Sequence, residues 1–369
     1  MALPIVTIAM DPRRWDEMLA PADLDRLRQL ADVRLVEFGA PSTIEAAPAL
    51  DPAEEERLAD AARSSSALVV AHGSPCVTEA VLASADLLGF VGELEGDRFG
   101  GRIDVEAASR RGISVVDTTH GSSGPVAEFA LALAILGLRD TWRYARRLQA
   151  GNAVQPTART EPDRLVNNEL NACTVGLVGF GNIGWRLVEL LRPFGCPVLA
   201  YDPFAPRQLA PAMGVSFARS LETVFSACDV VVSLVPLTPA TTRLIRGDLL
   251  RRMRPGAVFV NVSRGGVVDT DEMVAVATED RHVFCLDVLE PEPIPVGHPL
   301  RALPNVFLTP HLAGATGQSR RRFFQFMVDE LVRHFSGLEP HAQLTADVLA
   351  GRGVRTSAAV PSSSTTQEE

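Results

Sequence analysis

The sequence predicts an α/β protein that contains doubly wound parallel sheets. Short apolar runs rich in β-branched residues alternate with helical patterns along most of the chain, and this alternation is typical of parallel βα units. A glycine-rich turn at residues 179–184 stands between an apolar run and a helical pattern. Because 369 residues are enough for about two domains, we expect two such sheets.

The first 118 residues show a regular alternation of elements. The predicted strands are 4–10, 33–37, 67–71, 88–92 and 113–116, and the predicted helices are 21–31, 53–64, 77–85 and 104–111. This order is flavodoxin-like. Ligands of such sheets bind at the carboxyl ends of the strands, so the loops 71–76 and 96–104 are candidate ligand loops. A solvated turn with surface arginines explains the second loop equally well.

A long apolar helix is predicted at residues 126–138. It is apolar almost all round, which is typical of a helix buried in a core or at a subunit interface. Residues 141–170 are polar and contain Gly151 and two prolines, so we expect an irregular segment that wraps the surface.

The turn Gly179-x-Gly181-x-x-Gly184 has the spacing of a dinucleotide-binding turn in a Rossmann unit. The first glycine permits a tight turn, the second lets the backbone approach a pyrophosphate, and the third lets the helix pack close to the strand. The helix N-terminus supplies unpaired N–H groups that suit phosphate.

Asp202 ends the apolar run that follows this helix. Its carboxylate is placed to accept the ribose hydroxyls of an adenosine, and it would repel a 2′-phosphate. NAD is therefore favoured over NADP. Arg207 lies a few residues further on and leaves NADP open as the alternative.

The remainder of the chain continues the alternation. Strands are predicted at 230–235, 257–262, 283–288 and 306–308, and helices at 243–250, 270–278 and 317–336, while 203–220 is predicted as loop with a short helix. The polar C-terminal residues, 346–369, are predicted to be a disordered tail.

Three polar residues follow strand ends in this half: Arg264, Glu292 and His311. Arginine binds a carboxylate with two donors and polarises a neighbouring carbonyl, and histidine transfers protons near neutral pH. A carboxylate beside the imidazole would orient it. Singly, each residue has a plain structural explanation, such as a helix-end salt bridge, a solvated glutamate or a loop histidine. Their order after a dinucleotide turn favours an oxidoreductase site.

Composition excludes several other classes. The net charge of −10 without a basic stripe argues against nucleic acid and anionic membranes as partners. The chain has no lysine, which excludes Schiff-base chemistry and a P-loop. Five scattered cysteines predict neither a disulfide framework nor a metal site. The apolar N-terminal run, residues 3–10, is followed rather than preceded by Arg13 and Arg14, so it is not expected to be a signal peptide. The scattered cysteines are those of a reduced, cytoplasmic protein.

Four motifs together with Asp202 resemble those of the D-isomer-specific 2-hydroxyacid dehydrogenases, a family that includes phosphoglycerate, glyoxylate/hydroxypyruvate and phosphite dehydrogenases. They are GFGNIG (179–184), NVSRGGVVD (261–269), CLDVLEPEP (285–293) and LTPHLAGAT (308–316). The resemblance covers residues 96–335. The first 95 residues match only in their alternation of elements.

The resemblance implies an NAD-dependent oxidoreductase that interconverts a D-2-hydroxy acid and a 2-oxo acid. Two Rossmann/flavodoxin-like domains would flank a cleft: a substrate domain of residues 1–118 and 312–345, and an NAD-binding domain of residues 119–311. The helix at 126–138 would form a homodimer interface.

The resemblance also implies residue roles. Arg264 would bind the substrate carboxylate and carbonyl, and Glu292, rather than Glu290, would be the partner of the acid/base His311. Asp287 would lie near the nicotinamide carboxamide. The implied cofactor-binding residues are Gly179, Gly181, Asn182, Ile183, Gly184, Asp202, Val235, Val262, Asp287 and Gly314.

The substrate loop departs from the family pattern G-x-G-x-D-N-I-D, because residues 97–104 read DRFGGRID. Phe99 replaces a glycine, and Arg102 replaces the asparagine. Arg98 or Arg102 could therefore bind a second anionic group of the substrate. The substrate-binding residues that we expect are Arg98, Phe99, Gly100, Arg102, Gly73 and Ser74.

Two alternatives remain open. One is an NAD(H)-sensing protein on the same scaffold, as the family's corepressors are, because such proteins keep the catalytic residues. The other is a phosphite- or phosphonate-type dehydrogenase.

Overall fold

The structure, a computed structural model, describes residues 2–39, 49–94, 101–152 and 169–351. The chain divides into two units: unit 1 comprises Met1–Thr119 and Arg320–Glu369, and unit 2 comprises His120–Ser319. The domain boundary predicted after residue 118 lies one residue before the observed boundary, which follows Thr119. The boundary predicted after residue 311 lies eight residues before the observed one, which follows Ser319.

The elements are numbered in chain order. The strands are β1 (Ile5–Met10), β2 (Asp32–Glu37), β3 (Ala67–Val70), β4 (Phe90–Glu93), β5 (Ser114–Asp117), β6 (Val175–Val178), β7 (Val198–Tyr201), β8 (Val215–Phe217), β9 (Val230–Ser233), β10 (Val258–Asn261), β11 (Val283–Leu286) and β12 (Val306–Leu308). The helices are α1 (Trp15–Met18), α2 (Pro21–Arg28), α3 (Pro52–Ala62), α4 (Glu79–Ala83), α5 (Val105–Arg110), α6 (Ser123–Leu138), α7 (Thr141–Gln149), α8 (Asn182–Leu191), α9 (Ala210–Met213), α10 (Leu221–Ala227), α11 (Gly247–Leu250), α12 (Thr270–Thr278), α13 (Gly317–Phe335) and α14 (Ala346–Gly351).

The sheet of unit 1 has five parallel strands in the order β2-β1-β3-β4-β5. This is the flavodoxin-like order, so the prediction from the alternation of elements is confirmed. Buried side chains cover both faces of the sheet: Val70 and Val91 pack on one face, and Ile8 and Val69 pack on the other. A parallel sheet needs both faces covered because its crossover helices lie on both sides.

The sheet of unit 2 has seven parallel strands in the order β12-β11-β10-β9-β6-β7-β8. The order reverses between β6 and β9, which is the switch point of a Rossmann fold, where ligands bind at the carboxyl ends of the strands. α6 packs closely on this sheet, because a Cβ on Gly137 would lie 2.4 Å from Val258 Cγ1. Two α/β domains with parallel sheets are therefore present, as predicted.

Short polar side chains begin several helices. Asp51, Thr78 and Asp104 accept hydrogen bonds from N–H groups in the first turns of α3, α4 and α5, and Asp269 does so for α12. Such caps satisfy N–H groups that have no partner inside the helix.

The prediction that residues 141–170 are irregular is wrong at its start, where α7 forms. Trp142 packs on Phe307 with 5.2 Å between ring centroids. Arg143 lies 2.5 Å from both Asp140 and Asp280. These tertiary contacts hold the helix although its sequence is polar. Residues 153–168 lie outside the described residues.

Three further predictions need correction. Residues 203–220 contain β8, a short edge strand that pairs with β7. The helix predicted at 243–250 is confined to α11, because Arg243 has a positive φ of 50° and Ile245 bridges to Val268. The tail predicted from residue 346 begins with α14, whose Leu349 is buried in the core of unit 1. Residues 352–369 lie outside the described residues.

One stretch, His120–Leu138, is long and apolar enough to cross a membrane by length and composition alone. Half of it is buried within the protein, and α6 contributes Ala127, Ala130 and Leu133 to the core of unit 2. These are features of a core helix.

Candidate active site

The glycine-rich turn joins β6 to α8 at the switch point of the unit 2 sheet. Gly179 has φ +96°, and a Cβ there would lie 2.9 Å from Val235 Cγ1, so no other residue fits without strain. A Cβ on Gly181 would meet no atom within 4 Å, which leaves that backbone open to a ligand. A Cβ on Gly184 would lie 3.3 Å from Gly179 O, so the third glycine allows the helix to pack closely.

The first turn of α8 is available to phosphate. Among the described residues, no side chain caps it, and Asn182 is exposed while Ile183 is half-buried. Unpaired N–H groups and the positive end of the helix dipole make such a terminus a site for anions. The turn and helix therefore fit the pyrophosphate of a dinucleotide.

Asp202 follows β7, the strand beside the glycine turn. Its Oδ2 accepts a hydrogen bond from the N–H of Phe180 (2.8 Å), and its Oδ1 accepts from the N–H groups of residues 204 and 205 (2.8 and 3.1 Å). These bonds fix the carboxylate next to the turn, where it can meet the adenosine ribose. Arg207 lies over the Phe217 ring, 5.7 Å from its centroid.

His311 and Glu292 form a hydrogen-bonded pair, with 2.7 Å between His311 Nδ1 and Glu292 Oε1. Their side chains are 20% and 27% exposed, so both are partly shielded and still reachable. Because Nδ1 faces the carboxylate, Nε2 is the atom left to transfer a proton.

The pKa of Glu292 is lowered. Burial alone would raise it, but the hydrogen bond and charge of His311 lower it, helped by the Leu289 N–H and the charge of Arg264. The pair therefore holds a charged carboxylate against the imidazole. Arg264 therefore lies within electrostatic range of Glu292, the residue that His311 contacts.

Arg264 follows β10 in a turn that Asn261 shapes. The amide of Asn261 accepts from the N–H and Oγ of Ser263 (3.1 and 2.8 Å) and donates to the carbonyl oxygen of Arg264 (3.2 Å). Nη1 of Arg264 donates to Ser263 O (2.6 Å). Asn261 and Ser263 have roles that we did not predict, although an asparagine at the end of a strand is a recognisable turn former.

Gly265 brings the Arg264 turn against the segment that carries Glu292. A Cβ on Gly265 would lie 2.0 Å from the carbonyl carbon and oxygen of Leu289. Any side chain here would force the two segments apart. The glycine therefore sets the spacing between Arg264 and Glu292.

Asp287 anchors the loop of His311. It is 1% exposed, and its carboxylate accepts from Thr309 Oγ1 (2.6 Å) and from the N–H groups of Leu312 and Ala313 (2.8 and 2.9 Å). Its carbonyl accepts the N–H of His311 (2.8 Å), whose φ is +54°. We predicted Asp287 only as a cofactor residue. Its bonds show that it also holds His311 in an uncommon backbone conformation.

Three other predicted cofactor residues lie in unit 2. Val235 packs on Gly179, and Val262 is buried at 4% exposure. A Cβ on Gly314 would lie 3.4 Å from Val126 Cγ2 and 3.5 Å from Ser122 Cβ. Their roles toward the nicotinamide stay predictions.

Two predictions for direct substrate binding in unit 1 are wrong. Ser74 is fully buried and donates to Ala71 O. The side chain of Arg102 is also fully buried, and it pairs with Glu93 inside the fold. Neither side chain is exposed to a ligand. Gly73 is buried too, packed on Asp11.

The other three predicted substrate residues, Arg98, Phe99 and Gly100, lie outside the described residues.

These features define the class of dinucleotide-binding dehydrogenases. They are a Rossmann sheet, a dinucleotide turn with its aspartate, and an arginine, a glutamate and a histidine that follow strand ends of that sheet. The sequence profile described as "D-isomer specific 2-hydroxyacid dehydrogenase, NAD binding domain" matches residues 131–313. The protein belongs to the D-isomer specific 2-hydroxyacid dehydrogenase family.

Three relatives show the range of the family. The chain is 34% identical to an (S)-sulfolactate dehydrogenase of Chromohalobacter salexigens, over 63% of this chain and 73% of that one. It is 34% identical to a glyoxylate reductase of Thermofilum pendens, over 68% and 73%. It is 30% identical to a D-3-phosphoglycerate dehydrogenase of Methanocaldococcus jannaschii, over 77% of this chain and 52% of that one. The match thus spans about half the length of that last relative.

A solved structure agrees on the fold. A phosphoglycerate oxidoreductase from Rhizobium etli superimposes with a TM-score of 0.76, covering 94% of this chain and 99% of that one at 24% identity.

Proposed function

We propose that this protein is an NAD-dependent dehydrogenase that interconverts a D-2-hydroxy acid and a 2-oxo acid. The observation that carries the proposal is the 2.7 Å contact between His311 Nδ1 and Glu292 Oε1 beside Arg264, in the same unit as the dinucleotide turn. The names of the relatives, which are dehydrogenases and reductases, support this reaction class.

Each residue has a distinct role in the proposed mechanism. The guanidinium of Arg264 binds the substrate carboxylate and polarises the adjacent carbonyl. The bound cofactor supplies the hydride. As hydride reaches the carbonyl carbon, Nε2 of His311 gives its proton to the oxygen that becomes the hydroxyl. Glu292 keeps the imidazole oriented through its hydrogen bond to Nδ1.

The cofactor that we propose is NAD(H) rather than NADP(H). Asp202 is fixed by three backbone N–H groups, so its charge remains beside the ribose and opposes a 2′-phosphate. The guanidinium of Arg207 lies over the Phe217 ring, and the NADPH measurement below tests whether it offsets that charge.

The substrate class that we propose is a 2-oxo acid with a second acidic group. The names of two relatives support it, because phosphoglycerate and sulfolactate each carry a second anion beside the carboxylate. Glyoxylate, the substrate in the name of the third relative, carries none. A direct comparison of the two kinds of substrate therefore tests this choice.

We propose a cytoplasmic homodimer formed through α6. Leu136 of this helix is 37% exposed, and Phe129, Leu131 and Ile135 are only partly buried against the core of unit 2, so α6 leaves apolar surface that a partner subunit would cover. Cys173, Cys196, Cys228 and Cys285 are reduced thiols, which is usual in a reducing compartment.

The test is to follow NADH absorbance with a panel of 2-oxo acids, then to repeat it with NADPH. Hydroxypyruvate, glyoxylate and phenylpyruvate lack a second acidic group, whereas 2-oxoglutarate and phosphonopyruvate carry one. We expect turnover with NADH that exceeds turnover with NADPH and favours the second set. Tight NADH binding without turnover on any substrate would instead indicate a nucleotide-sensing protein.

A further inference from the structure

A cavity of about 130 Å³ lies in unit 2, between the edge of the sheet and the corner where α6 is followed by α7. Its sheet side is lined by Cys285 of β11 and Phe307 of β12. Its helix side is lined by Leu136 of α6 and by Trp142 and Ala145 of α7. None of these residues belongs to the candidate active site.

The cavity forms because α6 ends directly after its closest approach to the sheet. A Cβ on Gly137 would lie 3.2 Å from Cys285 Sγ, so the two elements touch there. Asp140 then adopts a φ of 44° and redirects the chain into α7. That helix returns to the sheet through Trp142, whose ring centroid lies 5.2 Å from that of Phe307. The corner thus encloses space instead of filling it.

The lining suits a neutral ligand. Its acidic residue, Asp140, is 2% exposed and lies 2.5 Å from its partner Arg143. Burial raises the pKa of the Cys285 thiol to about 12, so this thiol is neutral at physiological pH. Most of the other lining side chains are aliphatic or aromatic. An anion would lose its hydration here without gaining a cation, which is costly.

Asn305 adds one unpaired hydrogen-bond acceptor to this lining. It is 2% exposed, and its Nδ2 donates to Ala277 O and to His282 O at 2.9 Å each. Because two carbonyl oxygens face this atom, it must be the amide nitrogen. The other amide atom is therefore Oδ1, which no donor in the described ranges reaches. A buried acceptor without a donor is destabilising, so a ligand that supplied a donor would relieve that cost.

We propose that this cavity is a binding site for a small neutral molecule that has an apolar body of about one six-membered ring and a single hydrogen-bond donor. An apolar cavity of about 150 Å³ can take up benzene, so the volume suffices for one ring. The donor would bind Asn305 Oδ1, and the rings of Trp142 and Phe307 would contact the body. A buried water suits the site less well, because it usually makes about three hydrogen bonds.

The cavity also borders the ends of two strands. Cys285 and Phe307 lie two residues before Asp287 and Thr309, and Thr309 Oγ1 donates to Asp287 at 2.6 Å. A ligand held against Cys285 and Phe307 should therefore protect β11 and β12 from local opening. This effect can be measured without any turnover, so the inference does not depend on the reaction proposed above.

The test follows the binding of 4-fluorophenol to the full chain by fluorine NMR. The protein is used as it assembles in solution, because Leu136 also lies on the α6 face proposed for the dimer. Fluorobenzene has the same ring without the donor, and 4-fluorobenzoate carries a negative charge. Ala145→Leu fills the cavity from α7. Ala150→Leu, at the exposed C-terminal end of that helix, is the matched control.

We expect 4-fluorophenol to bind about three- to tenfold more tightly than fluorobenzene, which is the difference that one neutral hydrogen bond makes. Binding of 4-fluorobenzoate should be weaker than that of either. Ala145→Leu should weaken 4-fluorophenol binding at least about tenfold, whereas Ala150→Leu should match wild type. Binding should change the tryptophan emission, and Trp142→Phe should remove that change while 4-fluorophenol still binds. Amide exchange of residues 283–286 should slow.

Absence of 4-fluorophenol binding, or binding that Ala145→Leu leaves unchanged, would overturn the proposal. Displacement of 4-fluorophenol by NADH would also overturn it, because the ligand would then occupy the cofactor site. Equal affinities for 4-fluorophenol and fluorobenzene would refute the role of Asn305. If Ala145→Leu does not fold, the emission change in wild type and the exchange of residues 283–286 decide, and absence of both effects rejects the site.

Discussion

Gly265 is the residue whose side-chain volume controls the site most directly. Its Cβ position lies 2.0 Å from the backbone of Leu289, so Gly265→Ala must push the Glu292 segment away from Arg264. We expect kcat/KM for a 2-oxo acid to fall by about 10²-fold, as a misplacement of about 1 Å can cause. NADH affinity should be retained, because the glycine turn at 179–184 is remote in sequence and belongs to another loop.

Gly266→Ala is the matched control for that prediction. A Cβ on Gly266 would meet only side-chain ends, Glu290 Oε2 at 3.2 Å and two Leu237 carbons at 3.2 and 3.3 Å. Those atoms can move by rotation, so steady-state kinetics should show a much smaller loss. Equal losses in the two variants would show that Gly265 has no special role in spacing the site.

At the scale of residues, the sequence predicted site residues correctly where a residue type suited to the chemistry also follows a strand end. Gly179, Asp202, Arg264, Glu292 and His311 could be selected because each follows a strand end in a parallel sheet. Arg102 was misassigned because burial depends on Glu93 and the turn after β3, which the local sequence does not reveal.

The helix α7 illustrates the limits of periodicity at the scale of elements. Its sequence is polar, and its position depends on Arg143, which is 8% exposed and bridges Asp140 and Asp280. β8 was missed for a related reason, because a three-residue edge strand has too little apolar sequence to be recognised. In contrast, α12 and β12 have the predicted bounds, since caps and apolar runs mark their ends.

Arg143→Met should lower the stability of unit 2 markedly. It leaves the Asp140 carboxylate buried without its arginine, and breaking a buried pair in this way costs about 3 kcal/mol or more. Urea unfolding would measure the loss. Arg186→Met, at a surface pair with Glu189, is the control and should cost less than about 1 kcal/mol. Equal unfolding midpoints for the two variants would contradict the assigned role of Arg143.

The topology of each of the two sheets followed from the order of its elements. Alternating strands and helices require crossover connections, which produce parallel sheets, and both strand orders are those expected for flavodoxin-like and Rossmann units. The C-terminal segment was not predictable in this way. Residues 342–344 hydrogen-bond to β5, and Leu349 fills the core of unit 1, contacts that depend on the finished fold.

Stability of the whole chain should fall as the pH drops below neutrality. Burial lowers the pKa of His334, which lies against Phe90 with 5.2 Å between ring centroids. In the unfolded chain this histidine has its ordinary pKa of about 6.5, so below that pH the unfolded chain binds a proton more readily than the folded chain does. The contribution of His334 to the free energy of unfolding is therefore complete above the unfolded-state pKa and is lost as the pH falls below it.

His334→Phe should therefore reduce the change in urea midpoint between pH 7.5 and pH 5.5, a window of about one unit on either side of 6.5. Some change should remain, because burial lowers the pKa of His282 in unit 2 as well. His341→Gln, at an exposed position, is the control. A midpoint for His334→Phe as dependent on pH as that of wild type would contradict this account.

The central claim is that the Glu292–His311 pair transfers the proton that accompanies reduction of a 2-oxo acid. The most direct measurement is the rate of NADH oxidation by wild type and His311→Gln with the best 2-oxo acid, beside NADH binding followed by fluorescence. We expect His311→Gln to lose kcat/KM about 10²- to 10⁴-fold with NADH affinity unchanged. Retained turnover in His311→Gln would contradict the claim.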